Sequence, residues 1–466
     1  MRQEFIQFSN LYIKNEYQER LNDLNIILVE GETHLLWGHD NTPRIFANVF
    51  RGDSEILSGS IYINGKKISK CTRQIFEQSG IFFVDSHVEL MTSFTLAENL
   101  FLLKNNSLKK IRLNQKALLT RTRELLKKYD LKLDAGEKVE NLRAIEKIWF
   151  QMMRFADLKA KMVVLSGITQ ICSREDMEKL LKLMRKFKEE KISFLIFDSH
   201  PEFFWNLADD FYLMRGGHLI RKFWDKARFN RCWNSLMREN GEAGPEIDSR
   251  KEQNDFLMRF IWKNRKEQEV FLKFKQAEII YIKTTGWEQQ QEIRRNLLGE
   301  NGHHSVFECG DQRLIYDDVK ILVKNRIGFW GEEPLKAEYF SNLSVRENIL
   351  IPSMKRISRC GFYQRGERFV YHDRDFCPEL EEIEKSYGLT DDSVFKIIGY
   401  RWKLFNPRVL IVHNILSRAD LNMRKWISGM IFDMKKRGTA VILLEAFEED
   451  ALLLADRVVL PESQWI

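Results

Sequence analysis

Proline is scarce, with 8 in 466 residues, and the six cysteines include no CxxC pair. Placed at 71, 172, 232, 309, 360 and 377, they are too sparse for a disulfide scaffold and read as reduced cytosolic thiols. His372 with Cys360 and Cys377, and His303-His304 near Cys309, follow no zinc-ligand spacing, so no metal site is expected. Nowhere do about 18 apolar residues run together, and the opening MRQEFIQFSN lacks the apolar stretch of a signal peptide. No membrane span is expected. Long basic runs are missing too: 74 basic against 67 acidic residues give +7, spread over both halves, which a solvated surface explains without nucleic acid.

What is present is ordinary for a globular protein, with 44% hydrophobic and 30% charged residues. The length exceeds what one core supports, so two domains of roughly 200 residues are expected. The chain also repeats itself once. TLAENL, ending at Leu100, returns as SVRENI, ending at Ile349, so Glu98 and Glu347 are offset by 347 − 98 = 249. LADD, with Ala208, returns as LADR, with Ala455, and MVVL (162–165) returns as VLIV (409–412), both offset by 247.

Within the first copy the short apolar runs IFFV (81–84), MVVL, FLIF (194–197) and FYLM (211–214) suit parallel strands covered on both faces. Between the second and third, EDMEKLLKLMRKFKEE carries apolar residues three and four apart and reads as a helix. The class is α/β. The polar segment ENGEAGPEIDSRKEQND (239–255) has neither periodicity, which places one unit over 1–236, a linker over 237–256 and a second unit over 257–466.

A strand entering a tight loop that opens a helix is where backbone N–H groups close around a phosphate. Here that place reads GETHLLWGHDNTPRIFANVFRG, from Gly31 to Gly52. A working loop of the form G-x-x-x-x-G-K-[ST] starting at Gly38 would have glycine, lysine and a hydroxyl at 43–45, where Pro43, Arg44 and Ile45 stand.

This segment, followed by SGSIYINGK (58–66), resembles the ATP-binding subunits of ribose- and galactose-type sugar importers, which carry two ATP-binding cassettes in one chain. The resemblance runs on through GIFFVDSHVELMTSFTLAENLFLL (80–103), VENLRAIEKIWFQMMRFADLKAKMVVLSGIT (139–169) and FDSHPEFFWNLADDFYLMRGGHLI (197–220). In the second copy it includes SNLSVRENILI, NPRVLIVHNILSRADLNMRKWI and LADRVVL. It implies two P-loop NTPase-like cassettes in tandem, each a mostly parallel sheet with an antiparallel β portion and a helical arm.

Against that pattern the departures fall on the residues that do chemistry. Pro43 removes an amide donor, Arg44 keeps charge but not the shape of lysine, and Ile45 removes the Mg²⁺ hydroxyl. Ser166 and Gly167 stand for the Asp-Glu pair that holds metal and polarises water, Ser86 for the γ-phosphate-sensing glutamine, and Leu142–Glu146 for the signature run. His200 remains at the switch-histidine position and is read as a remnant, an inherited surface histidine. In the second copy Thr284 and Trp287 replace glycines, Gln290-Gln291 the lysine-hydroxyl pair, His413-Asn414 the carboxylates and Leu389–Asp392 the signature, while Asp420 is kept.

The resemblance thus implies a non-hydrolysing accessory or regulatory subunit, cytoplasmic and peripheral at the membrane, with a permease or an active ATPase paralogue as partner. ATP without Mg²⁺-dependent hydrolysis is the cofactor reading, through Gly38, Asn41 and Arg44. The alternatives are a functional importer subunit that binds and hydrolyses weakly, and a soluble scaffold or sensor without a transporter. A partner-docking edge is expected at Phe94, Leu96, Glu98 and Asn99 and again at Val345, Glu347 and Asn348, because the related importers dock the permease there. The opposing reading makes the apolar members core and the asparagines braces of the local backbone.

Overall fold

The computed structural model describes residues 3–461 except 16–19, 39–41, 53, 69, 86–89, 103–114, 233–256, 264–268, 285, 301–304, 311, 333–337, 355–376, 378 and 386–390. The chain forms two compact units, Met1–Met237 and Arg238–Ile466. The linker expected over 237–256 lies outside the described residues.

In the first unit, strands β1 (Glu4–Asn15), β2 (Arg20–Val29), β4 (Ser54–Ile63) and β5 (Lys66–Ile68) form an antiparallel sheet ordered β2-β1-β4-β5. Strands β3 (Thr33–Gly38), β6 (Ile81–Asp85), β7 (Met162–Ser166), β8 (Ser193–Phe197), β9 (Asp210–Arg215) and β10 (His218–Phe223) form a second sheet, ordered β10-β9-β3-β8-β7-β6. It is parallel apart from the β9–β10 hairpin. β3 and β8 are buried at every position, as the apolar runs require of strands covered on both faces. Helix α1 (Thr42–Arg51) lies between the sheets: the Phe46 ring is 4.9 Å from Phe8 in β1 and 5.4 Å from Phe197 in β8. One apolar core therefore joins both sheets and α1.

In the second unit, β11 (Leu257–Lys263), β12 (Glu269–Lys275), β14 (Ser305–Cys309) and β15 (Gln312–Tyr316) give the antiparallel order β12-β11-β14-β15. β13 (Ile279–Ile282), β16 (Ile327–Trp330), β17 (Val409–His413), β18 (Ala440–Leu444) and β19 (Arg457–Val459) form a parallel sheet ordered β16-β17-β18-β13-β19. Strand for strand this is the first unit's β6-β7-β8-β3-β9, so the sequence repeat is a repeat of one topology. Only β10 lacks a counterpart among the described residues. Each unit inserts helices between the corresponding strands: in the first, α2 (Arg73–Gln78) before β6, and α3 (Leu96–Leu102), α4 (Gln115–Lys128) and α5 (Ala144–Asp157) between β6 and β7. The fold is the expected pair of α/β cassettes. No helix among the described residues is long and apolar enough to cross a membrane.

Candidate functional site

Gly38 ends β3, where a Cβ would lie 2.6 Å from the Met214 carbonyl oxygen of β9, so the close approach of two backbones demands glycine. Asn41 lies outside the described residues. Thr42 opens α1 and its Oγ1 accepts from the Gly217 N–H at 3.0 Å, tying the loop to the β9–β10 turn. Pro43 sits in the first helical turn, where the helix needs no N–H from it, so α1 forms although a donor is lost to any anion. Ile45 is buried in the core, and Arg44 is exposed. Ile45 packs into the core at the position where the phosphate-loop pattern would place a hydroxyl.

At the other side of this loop, β7 ends in Ser166, and Gly167 turns in the left-handed region (φ 62°) with its N–H on the Phe197 carbonyl at 2.8 Å. Beyond it a buried polar knot forms. Asp198 accepts the Thr169 N–H at 3.0 Å, the Thr169 hydroxyl, and the His200 N–H at 3.1 Å. His200 Nδ1 lies 3.3 Å from Thr169 Oγ1. The histidine is 2% exposed, so it is not the surface residue expected. Its place beside Asp198 and Thr169 encloses it. At the signature position, Arg143 pairs with Asp176 at 3.2 Å and with Glu146 at 3.1 Å, which binds the start of α5 to the helix Arg174–Glu189. Ser86 and His87 lie outside the described residues.

The second unit differs. Gln290, in the helix Trp287–Leu298, donates to Asn414 Oδ1 at 3.1 Å, and Asn414 donates back to Gln290 Oε1 at 3.1 Å. Asn414 also donates to Glu332 at 3.1 Å and stands in the left-handed region at φ 53°. Gln291 lies 3.4 Å from His413 Nε2 and accepts from Arg294 at 3.0 Å. The two amides at the phosphate-loop and carboxylate positions thus saturate one another, and both are buried. Asp420 caps the helix Leu421–Lys436 by accepting the Met423 N–H at 2.8 Å, a local reason for its retention. Leu389 and Thr390 lie outside the described residues.

At the expected docking edge, both asparagines turn inward. Asn99 accepts the Met91 N–H at 2.9 Å and donates to the carbonyls of Met91, Phe94 and Thr95. Asn348 accepts the Phe340 N–H at 2.9 Å and donates to the carbonyls of Phe340, Leu343 and Ser344. Both are buried, so neither is available to orient a partner. The carboxylates serve their own helices as well. Glu98 accepts from the Thr95 N–H and hydroxyl, and Glu347 from those of Ser344, closing equivalent helix starts. Ser344's two donors hold the Glu347 carboxyl below its ordinary range. Leu96 is fully buried and cannot line a groove, while Val345 is half-buried. The large apolar side chains that stay exposed are Phe94 at 38% and, unforeseen from the sequence, Met91 at 54% and Phe340 at 47%. Met91 and Phe340 are related by the same offset, 340 − 91 = 249.

Sequence reasoning missed two further pairs that the repeat could have revealed. Asp198 corresponds to Glu445, and Arg154 to Arg401, both offset by 247. Glu445 accepts the Leu416 and Ser417 N–H groups at 3.2 and 3.1 Å and the Ser417 hydroxyl at 2.8 Å. Burial, reinforced by nearby Asp450 and opposed by those donors, pushes its carboxyl up to about 8. Arg401 donates to the Asn348 carbonyl and to the Glu338 carbonyl at 2.7 Å each. Burial lowers both arginines to about 10.

No protein-family model matches the chain. A ribose import ATP-binding protein of Bacillus licheniformis is 22% identical over 447 residues, which cover 94% of this chain and 90% of that protein. Ribose import ATP-binding proteins of Bacillus cereus and of Escherichia coli O157:H7 are 21% and 20% identical, again over 94% of this chain. Among solved structures, an ATP-binding cassette of an ABC transporter in its ADP conformation is 17% identical, covers 51% of this chain and 99% of its own, and has a TM-score of 0.45. Over nearly its whole length the chain resembles the tandem ATP-binding proteins of sugar import.

Proposed function

We propose that this chain is a cassette-type subunit of a carbohydrate importer that does not hydrolyse ATP and acts as an accessory or regulatory part, peripheral at the cytoplasmic face of the membrane. Its partner is a permease subunit or an active ATPase paralogue. The observation that carries the reading is the reciprocal Gln290–Asn414 amide pair, which consumes the side chains at two positions where a nucleotide and its metal would need lysine and carboxylate. In the first unit the same chemistry is missing for a different reason: Ser166, Gly167 and Ile45 supply no carboxylate for a metal and no general base.

Docking is supported by Met91 and Phe340, exposed apolar residues at matching places in both units, beside helix starts that the Asn99 and Asn348 braces hold in shape. The test is purification of the tagged chain from native membranes, alone and as Met91→Ser with Phe340→Ser. A multi-spanning permease should accompany the parent chain and be lost from the double variant while its melting temperature holds. Recovery of the chain alone from the cytosolic fraction would favour the scaffold or sensor instead.

A further inference from the structure

The first unit carries a second polar cluster at the opposite end of its central strand from the phosphate-loop position. Side chains two apart in extended backbone share a face, so Glu32, immediately before β3, and His34, the second residue of β3, project together. The β3–β9 register sets His34 directly opposite Asp210 on the neighbouring strand. One donor atom from each of Glu32, His34 and Asp210 lies within 4.8 Å of the others. Four residues of strand, about 13 Å, separate His34 from Gly38, so this cluster is not part of the nucleotide position.

His34 and Asp210 are fully buried, yet their polar atoms are only half used. Asp210 Oδ2 meets Lys222 Nζ at 2.6 Å, while Asp210 Oδ1 has no hydrogen-bond partner. His34 Nδ1 lies 3.4 Å from Asp210 Oδ2 without hydrogen-bond geometry. Burial would raise the Asp210 carboxyl, but the His34 and Lys222 groups beside it outweigh burial and hold it below the ordinary carboxylate range.

The other imidazole nitrogen has partners for either tautomer. Nε2 is 3.0 Å from the Val29 N–H and 3.4 Å from the Val29 carbonyl. With Nδ1 protonated, Nε2 accepts the amide; with Nδ1 as a ligand, Nε2–H donates to the carbonyl, the second partner that metal-bound histidines require.

We propose that Glu32, His34 Nδ1 and Asp210 Oδ1 form a site for one borderline divalent cation of the zinc class, with Lys222 remaining on Asp210 Oδ2. One imidazole and two carboxylates suit Zn²⁺ better than Mg²⁺, which takes oxygen ligands alone. Ligands about 2.1 Å from one ion in a tetrahedron stand about 3.4 Å apart, so the three must close by about an ångström. Carboxylate rotation at half-buried Glu32 supplies part of that movement.

The test uses the full chain, stripped with chelator and dialysed against Zn²⁺ or Mg²⁺ alone. One Zn²⁺ per chain should bind and raise the melting temperature, with no matching Mg²⁺. Affinity should fall at least tenfold in Glu32→Gln and in Asp210→Asn. Glu32→Gln is the variant certain to be informative, because Glu32 is not fully buried and Gln keeps its shape. Co²⁺ substitution should give visible bands without thiolate charge transfer, separating this site from the cysteines. Absence of Zn²⁺ binding, retention of full affinity in a folded Glu32→Gln chain, or a thiolate signature would each overturn the proposal. None of these outcomes bears on ATP hydrolysis, so the two readings fail separately.

Discussion

The positions that correspond to a phosphate loop and its carboxylates carry different side chains in the two units, while their surroundings are alike. In the first unit the chemistry-bearing positions hold Ser166, Gly167 and the core residue Ile45, with the charge of Arg44 left exposed. In the second, Gln290 and Asn414 fill the corresponding places and bond each other. Yet both units keep an asparagine that braces the same loop, a buried carboxylate after the same strand, and a buried arginine on the same helix. The asparagines and the carboxylates satisfy buried backbone N–H and C=O groups, each of which would cost about 1–3 kcal/mol if orphaned. Side chains that would face a ligand carry no such penalty when replaced.

The sharpest way to break this comparison is to remove the braces. Asn348→Leu orphans the Phe340 amide, several carbonyls and one Arg401 contact, so it should cost about 3–5 kcal/mol and lower the melting temperature of its unit by about 10 °C. Asn99→Leu, with the same backbone bonds, should also cost about 3 kcal/mol. If thermal unfolding shows either to be neutral, the shared residues are not held by stability.

Next in size is a pH effect confined to the second unit. Folding raises the Glu445 carboxyl to about 8, from an unfolded value of about 4.3. The folded state therefore binds the proton more tightly. The contribution is full below the unfolded value and is lost as pH rises through about 8. Melting temperature measured from pH 5 to 9 should fall, and Glu445→Ala should flatten that slope whatever its fixed cost.

Smaller still is the amide pair: Gln290→Ala should cost about 1–2 kcal/mol in chemical unfolding, since it leaves Asn414 with Glu332 as its remaining strong partner. Least of all should be Glu98→Ala with Glu347→Ala, which removes the carboxylate contacts at two helix starts and lowers the melting temperature by less than Asn348→Leu.

The repeat was legible because apolar strands and the LADD/LADR and AEN/REN runs survive in order, and strand order followed from them. The orientation of the residues expected to dock a partner was not legible. Glu98, Asn99, Glu347 and Asn348 look like interface residues in a linear string, but a side chain can turn back onto the loop that precedes it, and nothing in the string says which. The burial of His200 escaped for a related reason: Asp198 and Thr169 enclose it, and Thr169 comes from another strand end 31 residues away.

Steady-state turnover of ATP by the purified full chain with Mg²⁺ tests the proposed loss of hydrolysis in both units most directly. Without metal-binding carboxylates or a water-polarising base, the rate should be lower than that of an active enzyme by several powers of ten and stay at background. A turnover of about one per second, typical of the low end for enzymes, that disappears in Arg44→Ala would contradict it.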